Sequence, residues 1–406
     1  RKHGAEVLSR FIRRAWGRPA TEKEVERFLI LFDNYRPDFD NFEEAMQEVL
    51  ATVLVHPEFL YLVQRFPEEG ENDSVGMNDR ELARRLAAFL WSSIPDAQLQ
   101  RKAEKGNLKQ PDILEAEVNR MLKDVRSNRF VRHFVEQWLD LDGLQSVSHI
   151  TDQHLLKAMQ EEPIAFFQEV LRSNSSIFDF IHSDYALVNE RLASHYKIGD
   201  VRGSHFQKVS IEPQLNRGGL LTGSAVLAMN SDGKDSNPLK RGVWMLESIL
   251  GDPPPPPPPN VPEVDLADPE IQKMTVKERI ANHRSNPACY SCHARIDPWG
   301  IAFENYDAFG SYRTKVNDKP VDASALLFNK QPLEGMHGLK RYLLKERQDQ
   351  FARAMVRKMT TYALGRPLSF SDHAGIEDLT IMFRKNGDRL GDLIYFITKS
   401  TIFHSM

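Results

Sequence analysis

Apolar residues recur along this chain every three to four positions, with polar residues between them, which is the period of helices that bury one face. Asn78 followed by Glu81 reads as a capping box, and Leu82, Leu86, Phe89 and Leu90 then share a face. Pro95 and Asp96 stop that helix and start the next. Leu114, Val118, Met121 and Leu122 repeat the pattern after Pro111, and Phe130, Phe134, Trp138 and Leu141 do so again. Near the C-terminus Phe351, Met355, Met359 and Tyr362 form a further stripe, closed by Gly365 and Pro367. Strand-like alternation is scarce, and Lys208 to Ile211 is a short strand at most. The predicted fold class is all-α, in several multi-helix modules.

Punctuation between the periodic stretches divides the chain. Pro253 to Pro259 are consecutive prolines, continued by Asn260, Val261 and Pro262. Without backbone donors this tract forms an extended polyproline II rod of roughly 20 Å. It reads as a stiff spacer; the competing use, as ligand for a proline-binding module, belongs mostly inside cells. Pro67 to Asn78 is a polar, acidic link, and Val201 to Asn216 is turn-rich and leads into Gly218-Gly219. The expected segments are an N-terminal helical module (1–66), a second helical module (78–200), a helical stretch ending in the spacer (201–262), a motif-bearing segment (263–325) and a C-terminal helical module (326–406). A chain of 406 residues is too long for one small core, in keeping with that division.

Charge and hydropathy remove some functions. A formal net charge of −4 argues against nucleic-acid binding, which needs a surplus of Lys and Arg. The best apolar stretch, Val49 to Val63, is interrupted by His56, Pro57 and Glu58, so no membrane span is expected. The sequence opens at Arg1 with no charged-then-apolar leader, so export has to be inferred from chemistry rather than from a signal.

That chemistry lies at Cys289-Tyr290-Ser291-Cys292-His293, which contains both cysteines of the protein. Two thiols one helical turn apart can each add to one vinyl group of haem, and the adjacent His293 then offers its imidazole to the iron as proximal ligand. Three other uses compete. A thioredoxin-type dithiol needs a βαβ setting not visible here. A zinc site recruiting His283, Cys289 and Cys292 leaves His293 awkwardly placed. A short-loop disulfide gives no reason for the histidine. One covalent haem c is the expectation, and with it an extracytoplasmic location, since haem c is attached outside the bacterial cytoplasm.

The sixth iron ligand is less determined. Met336, in the apparent loop Leu333-Glu334-Gly335-Met336-His337-Gly338, is the first candidate, with His337, His283, Met229 and Met245 as others. Asp297, Pro298 and Gly300 read as a turn after the motif, whose backbone carbonyl would orient His293. Arg284, Arg295 and Arg313 are candidates for the haem propionates, and Glu304, Asp307 and Tyr312 for proton donors beside a reactive haem. Asn230 to Asn237 carries Asp232 and Asp235 before Pro238; a helix-capping turn is expected there over a calcium loop. No zinc-protease histidine spacing, phosphate-binding glycine loop or nucleophile elbow occurs.

The motif's surroundings, Asn286 through Asp307, resemble the C-terminal cytochrome-like segment of a multidomain family abundant in planctomycetes and catalogued as domains of unknown function. Ala15-Trp16-Gly17-Arg18-Pro19 resembles its first module, and Asp184 to Ala193 its second. Arg217-Gly218-Gly219-Leu220-Leu221, Asn237 to Trp244 and the proline tract resemble the third; Lys358 to Arg366 resembles the last. Ser231 to Ser236 departs from the Thr-Ser-Pro version common in the family. The resemblance implies an exported protein with a small cytochrome-c-like haem segment after the spacer, and no settled reaction. Three functions follow: electron transfer with a redox partner protein, a peroxidase- or oxidase-like haem enzyme, or a scaffold with structural haem. Electron transfer is favoured because the motif is commonest in that role and no catalytic constellation emerges.

Overall fold

The capping box forms as read. Asn78 accepts from the amides of Arg80 and Glu81, and Glu81 accepts from the amide of Asn78, opening the helix Asp79–Trp91. Leu82, Leu86, Phe89 and Leu90 are its buried face. Asp96 caps the helix Ala97–Glu104, Pro111 opens Pro111–Lys123, and Gly365 takes φ 64° just after Gln348–Leu364. This computed structural model describes residues 1–61, 77–256, 274–283 and 287–405, without the side chains of 282, 283, 287–289 and 291. Among the described residues its sheets are two-stranded antiparallel pairs among many helices, so the fold is mainly all-α. No helix of the described residues is long and apolar enough to cross a membrane.

The chain forms two compact units. The first comprises Arg1–Phe130, Thr360–Gly375 and Tyr395–Met406. Its N-terminal helices Lys2–Trp16, Glu22–Tyr35 and Phe42–Leu54 enclose a core of Leu8, Ile12, Trp16, Phe32, Met46 and Val49. Elsewhere in this unit Phe89 packs on Phe130, Tyr362 and Phe403, with ring centroids 5.2, 6.1 and 6.1 Å away. The buried Arg85 donates to the carbonyl of Phe403 at 2.6 Å.

The second unit comprises Val131–Met359 and Ile376–Ile394. In its core Phe167 of the helix Gln153–Arg172 stacks on Phe180, and Trp138 meets both rings edge-on. The short strand expected near Lys208 is Gln207–Ser210, and it pairs antiparallel with Tyr185–Val188. That partner strand is buried on both faces, so it carries no alternation to read. The helix Pro238–Trp244 runs into a π-helical turn, Met245–Leu250, and crosses the helix Pro287–Ile301 that carries the Cys-x-x-Cys-His motif.

Glycine makes that crossing close. A Cβ on Gly300 would lie 1.7 Å from the carbonyl oxygen of Pro238, and one on Gly242 would lie 2.5 Å from that of Ile296. The two backbones therefore touch where a side chain would otherwise stand.

A polar cluster is sealed inside this unit. Tyr196 donates to the buried Glu162 carboxylate at 2.6 Å, and the Arg217 guanidinium lies 3.7 Å from the Tyr196 ring centroid. Burial pushes the Glu162 carboxyl up to about 7, against the pull of Tyr196 and Arg217. Between its ordinary value of 4.5 and about 7 the folded chain holds a proton there that the unfolded chain has lost. Stability contributed by this group therefore falls as pH rises through that window and levels off above it, by about 3 kcal/mol in all. Glu162→Gln should flatten this slope relative to the unmodified protein in denaturant titrations across the same pH range.

Candidate functional site

Pro287 suits the first turn of the motif helix, where a missing N–H costs nothing. The helix then runs unbroken through Asp297 and Pro298 to Ile301. The turn expected at Asp297-Pro298-Gly300 is thus helical, since Pro298 falls near the helix end where the crossing at Gly300 holds the backbone in place. Helical spacing also changes what orients His293. Its Nδ1 lies 2.9 Å from Oδ1 and 3.2 Å from Oδ2 of Asp297, one turn on, instead of facing a backbone carbonyl. Asp297 is fully buried. An ionised carboxylate only accepts, so Nδ1 donates and Nε2 keeps its lone pair for a ligand.

Cys292, Arg295, Ile296 and Trp299 follow one another at three, four and seven residues and line one side of a cleft of about 570 Å³. Leu246 and Leu250 of the π-helical turn, Leu327, Phe328 and the first prolines of the tract, Pro253 to Pro255, supply apolar walls. Arg295 lies over the Phe328 ring at 5.4 Å. Arg347 also lines the cleft, donating to the Tyr342 hydroxyl at 3.0 Å and to the Gln350 amide oxygen at 3.3 Å. Trp299 was legible as the i+7 partner of Cys292 had the segment been read as helix; Arg347, far along the chain, carries no local signal.

The other candidates sit elsewhere. Arg284 lies outside the described residues, as do the side chains of Cys289 and His283. Arg313 is engaged with Glu304, donating to its backbone and carboxylate oxygens, and with the Ser236 hydroxyl. Met336 is buried at the start of the helix Gly335–Glu346, directly after the strand Pro332–Glu334, so the expected loop is a strand and a helix. Gly335 at φ 59° makes the sharp change of direction between them. His337 faces the Asn216 side chain at 2.9 Å, Met229 packs by Gly143, and Met245 is buried.

Glu304 is buried and accepts from Ser236; burial raises its carboxyl, opposed by Arg241 and Ser236. Asp307 accepts from the amides of Phe309 and Ser311. The exposed Tyr312 packs against Tyr306. In the Asn230–Asn237 loop Asp232 accepts from the amides of Lys234 and Asp235, Asp235 pairs with Arg279, and Asn237 caps the helix that Pro238 opens.

One residue fixes the segment that follows the motif helix. The Arg241 guanidinium, with no surface exposure, donates to the carbonyls of Phe303, Tyr306, Asp307 and Leu227 at 2.7–3.1 Å. Burial pulls it down to about 10, with Glu304 opposing the drop, so it stays charged at neutral pH.

A histidine backed by a buried carboxylate, a thiol opening on an apolar cleft and arginines along that cleft form a donor set that suits covalent haem. Among the described residues, no group of three or more His, Cys, Asp or Glu is placed to hold a metal ion by itself.

Comparison with known proteins gives four matches to family models, each described as a protein of unknown function. These are DUF1595 over residues 4–64, DUF1592 over 77–198, DUF1588 over 217–316 and DUF1585 over 329–403. The motif helix lies within the third. No curated protein and no solved structure matches the chain.

Proposed function

The chain belongs to the planctomycete-type multidomain family of domains of unknown function, and on that premise we propose that it is an exported c-type haem protein serving electron transfer. Cys289 and Cys292 would hold the haem, His293 would be its proximal ligand, and a redox partner protein would exchange electrons with it. A haem held there supplies a one-electron couple.

The observation that carries the reading is the pairing of His293 with the fully buried Asp297 beside the cleft on which Cys292 opens. The chain's own residues then do three things. Asp297 fixes the ring and its tautomer and makes Nε2 a stronger donor, which favours the more oxidised state of a bound iron. The apolar walls keep water from that environment. Arginine near Cys292 offers charge to propionates.

A second reading, a haem enzyme, draws on a different observation. Glu304, an acid that this reading would use, is buried, and burial raises its carboxyl.

The test is expression with haem c maturation machinery, followed by spectra of oxidised, dithionite-reduced and carbon monoxide-treated protein. Electron transfer predicts haem that survives denaturation and a low-spin spectrum indifferent to carbon monoxide; a high-spin haem that binds it favours the enzyme. Absence of attached haem overturns both. Asp297→Asn should keep the haem and raise its midpoint potential, by about 60 mV for each tenfold loss of preference for the oxidised state.

A further inference from the structure

Among the described residues several half-buried arginines meet a carboxylate, Arg18 with Glu24, Arg120 with Asp96, Arg132 with Glu161 and Arg384 with Asp388, while the buried Arg85, Arg217 and Arg241 donate to backbone carbonyls. The two that line the cleft, half-buried Arg347 and exposed Arg295, meet neither. Arg347 is in the company of a phenol and an amide, Tyr342 and Gln350, and Arg295 lies over an aromatic ring. Asp252 also lines the cleft but forms an ion pair with neither. Two guanidinium groups thus face a space walled largely by leucine, isoleucine, proline and aromatic rings, with Asp252 and Asn329 also on its lining. Phe328, 73% exposed, stands at this cleft.

A half-buried cation such as Arg347, kept from carboxylates beside apolar surface, gains from an anion, and a planar guanidinium takes a carboxylate by two parallel hydrogen bonds. We propose that the cleft is a site for a flat, apolar ligand bearing carboxylates, with Arg347 as the principal anchor and Arg295 as the second. Tyr342 and Gln350 hold the Arg347 fork in place, and Trp299 and Phe328 offer faces to the ligand's apolar body. The inference deepens the haem reading, in which those carboxylates are the propionates, and it adds a residue 54 positions beyond His293 to the site. It does not require that haem be attached.

That independence sets the experiment. The full chain, made without haem c maturation, is titrated with protoporphyrin IX and with its dimethyl ester, followed by porphyrin fluorescence. The free acid should bind at least roughly tenfold more tightly than the ester, the worth of a charge-assisted pair. Arg347→Gln should erase most of that ratio, Arg347→Lys should restore part of it, and Tyr342→Phe, which removes one of the groups holding the Arg347 fork, should lower it by less than Arg347→Gln does. Equal affinity for acid and ester, no binding at all, or an acid preference untouched by Arg347→Gln overturns the proposal. Attachment during maturation is scored separately. A chain that selects the acid through Arg347 but never acquires covalent haem keeps this inference and loses the haem reading; a chain that acquires haem but shows no Arg347-dependent selection does the reverse.

Discussion

Replacing Gly300 by alanine is expected to unfold or grossly loosen the second unit, at a cost of about 3–5 kcal/mol. The methyl group would sit 1.7 Å from the Pro238 carbonyl oxygen and 2.5 Å from its carbon, far inside contact distance. Both offending atoms are backbone, so no rotamer change relieves them. The helices Pro238–Trp244 and Pro287–Ile301 must move apart, which strips packing from Ile296 and Trp299 and opens the cleft beside Cys292. Gly242→Ala meets the Ile296 carbonyl oxygen at 2.5 Å and should act in the same direction. Thermal denaturation of the purified variants gives the answer, and a melting temperature within a degree or two of the unmodified protein would show that the crossing is looser than drawn.

Arg241→Met should be of similar size, about 3–5 kcal/mol, for a different reason. Methionine fills much of the volume but leaves the carbonyls of Phe303, Tyr306, Asp307 and Leu227 without their donor. It also removes the positive charge that opposes the burial of Glu304. Glu304 should then rise further and be protonated more readily, so the deficit should narrow as the solution is made acidic. Denaturant titrations at neutral and acidic pH separate the two contributions. A deficit that stays constant with pH would mean that the lost carbonyl bonds account for all of it.

What could be read beforehand was what is local. The capping box at Asn78, the start at Pro111 and the stop at Gly365 each depend on side chains within one turn of the backbone they act on. The motif itself is equally local. Segments rich in Gly and Pro misled in two places, because tertiary contacts overrode them. Pro298 continues a helix that is pinned at Gly300, and Gly335-Met336-His337-Gly338 is helical because Met336, Leu339 and Leu343 share a buried face. The strand Tyr185–Val188 was hidden by being buried on both sides. Arg347 was beyond reach for a plainer reason: its place by Cys292 is made by the fold, not by spacing in the chain.

The bond from Arg85 to Phe403 joins residues 318 positions apart within the first unit. At ribosomal speeds of about 5–20 residues per second, the helix Asp79–Trp91 waits on the order of 15–60 s for the segment that covers Phe89 and receives Arg85. Throughout that interval its apolar face is a target for chaperones and for other nascent chains. Assembly of this unit therefore waits on the segment from Tyr395 onward, and a chain truncated before residue 395 would be expected to accumulate as a substrate for proteases.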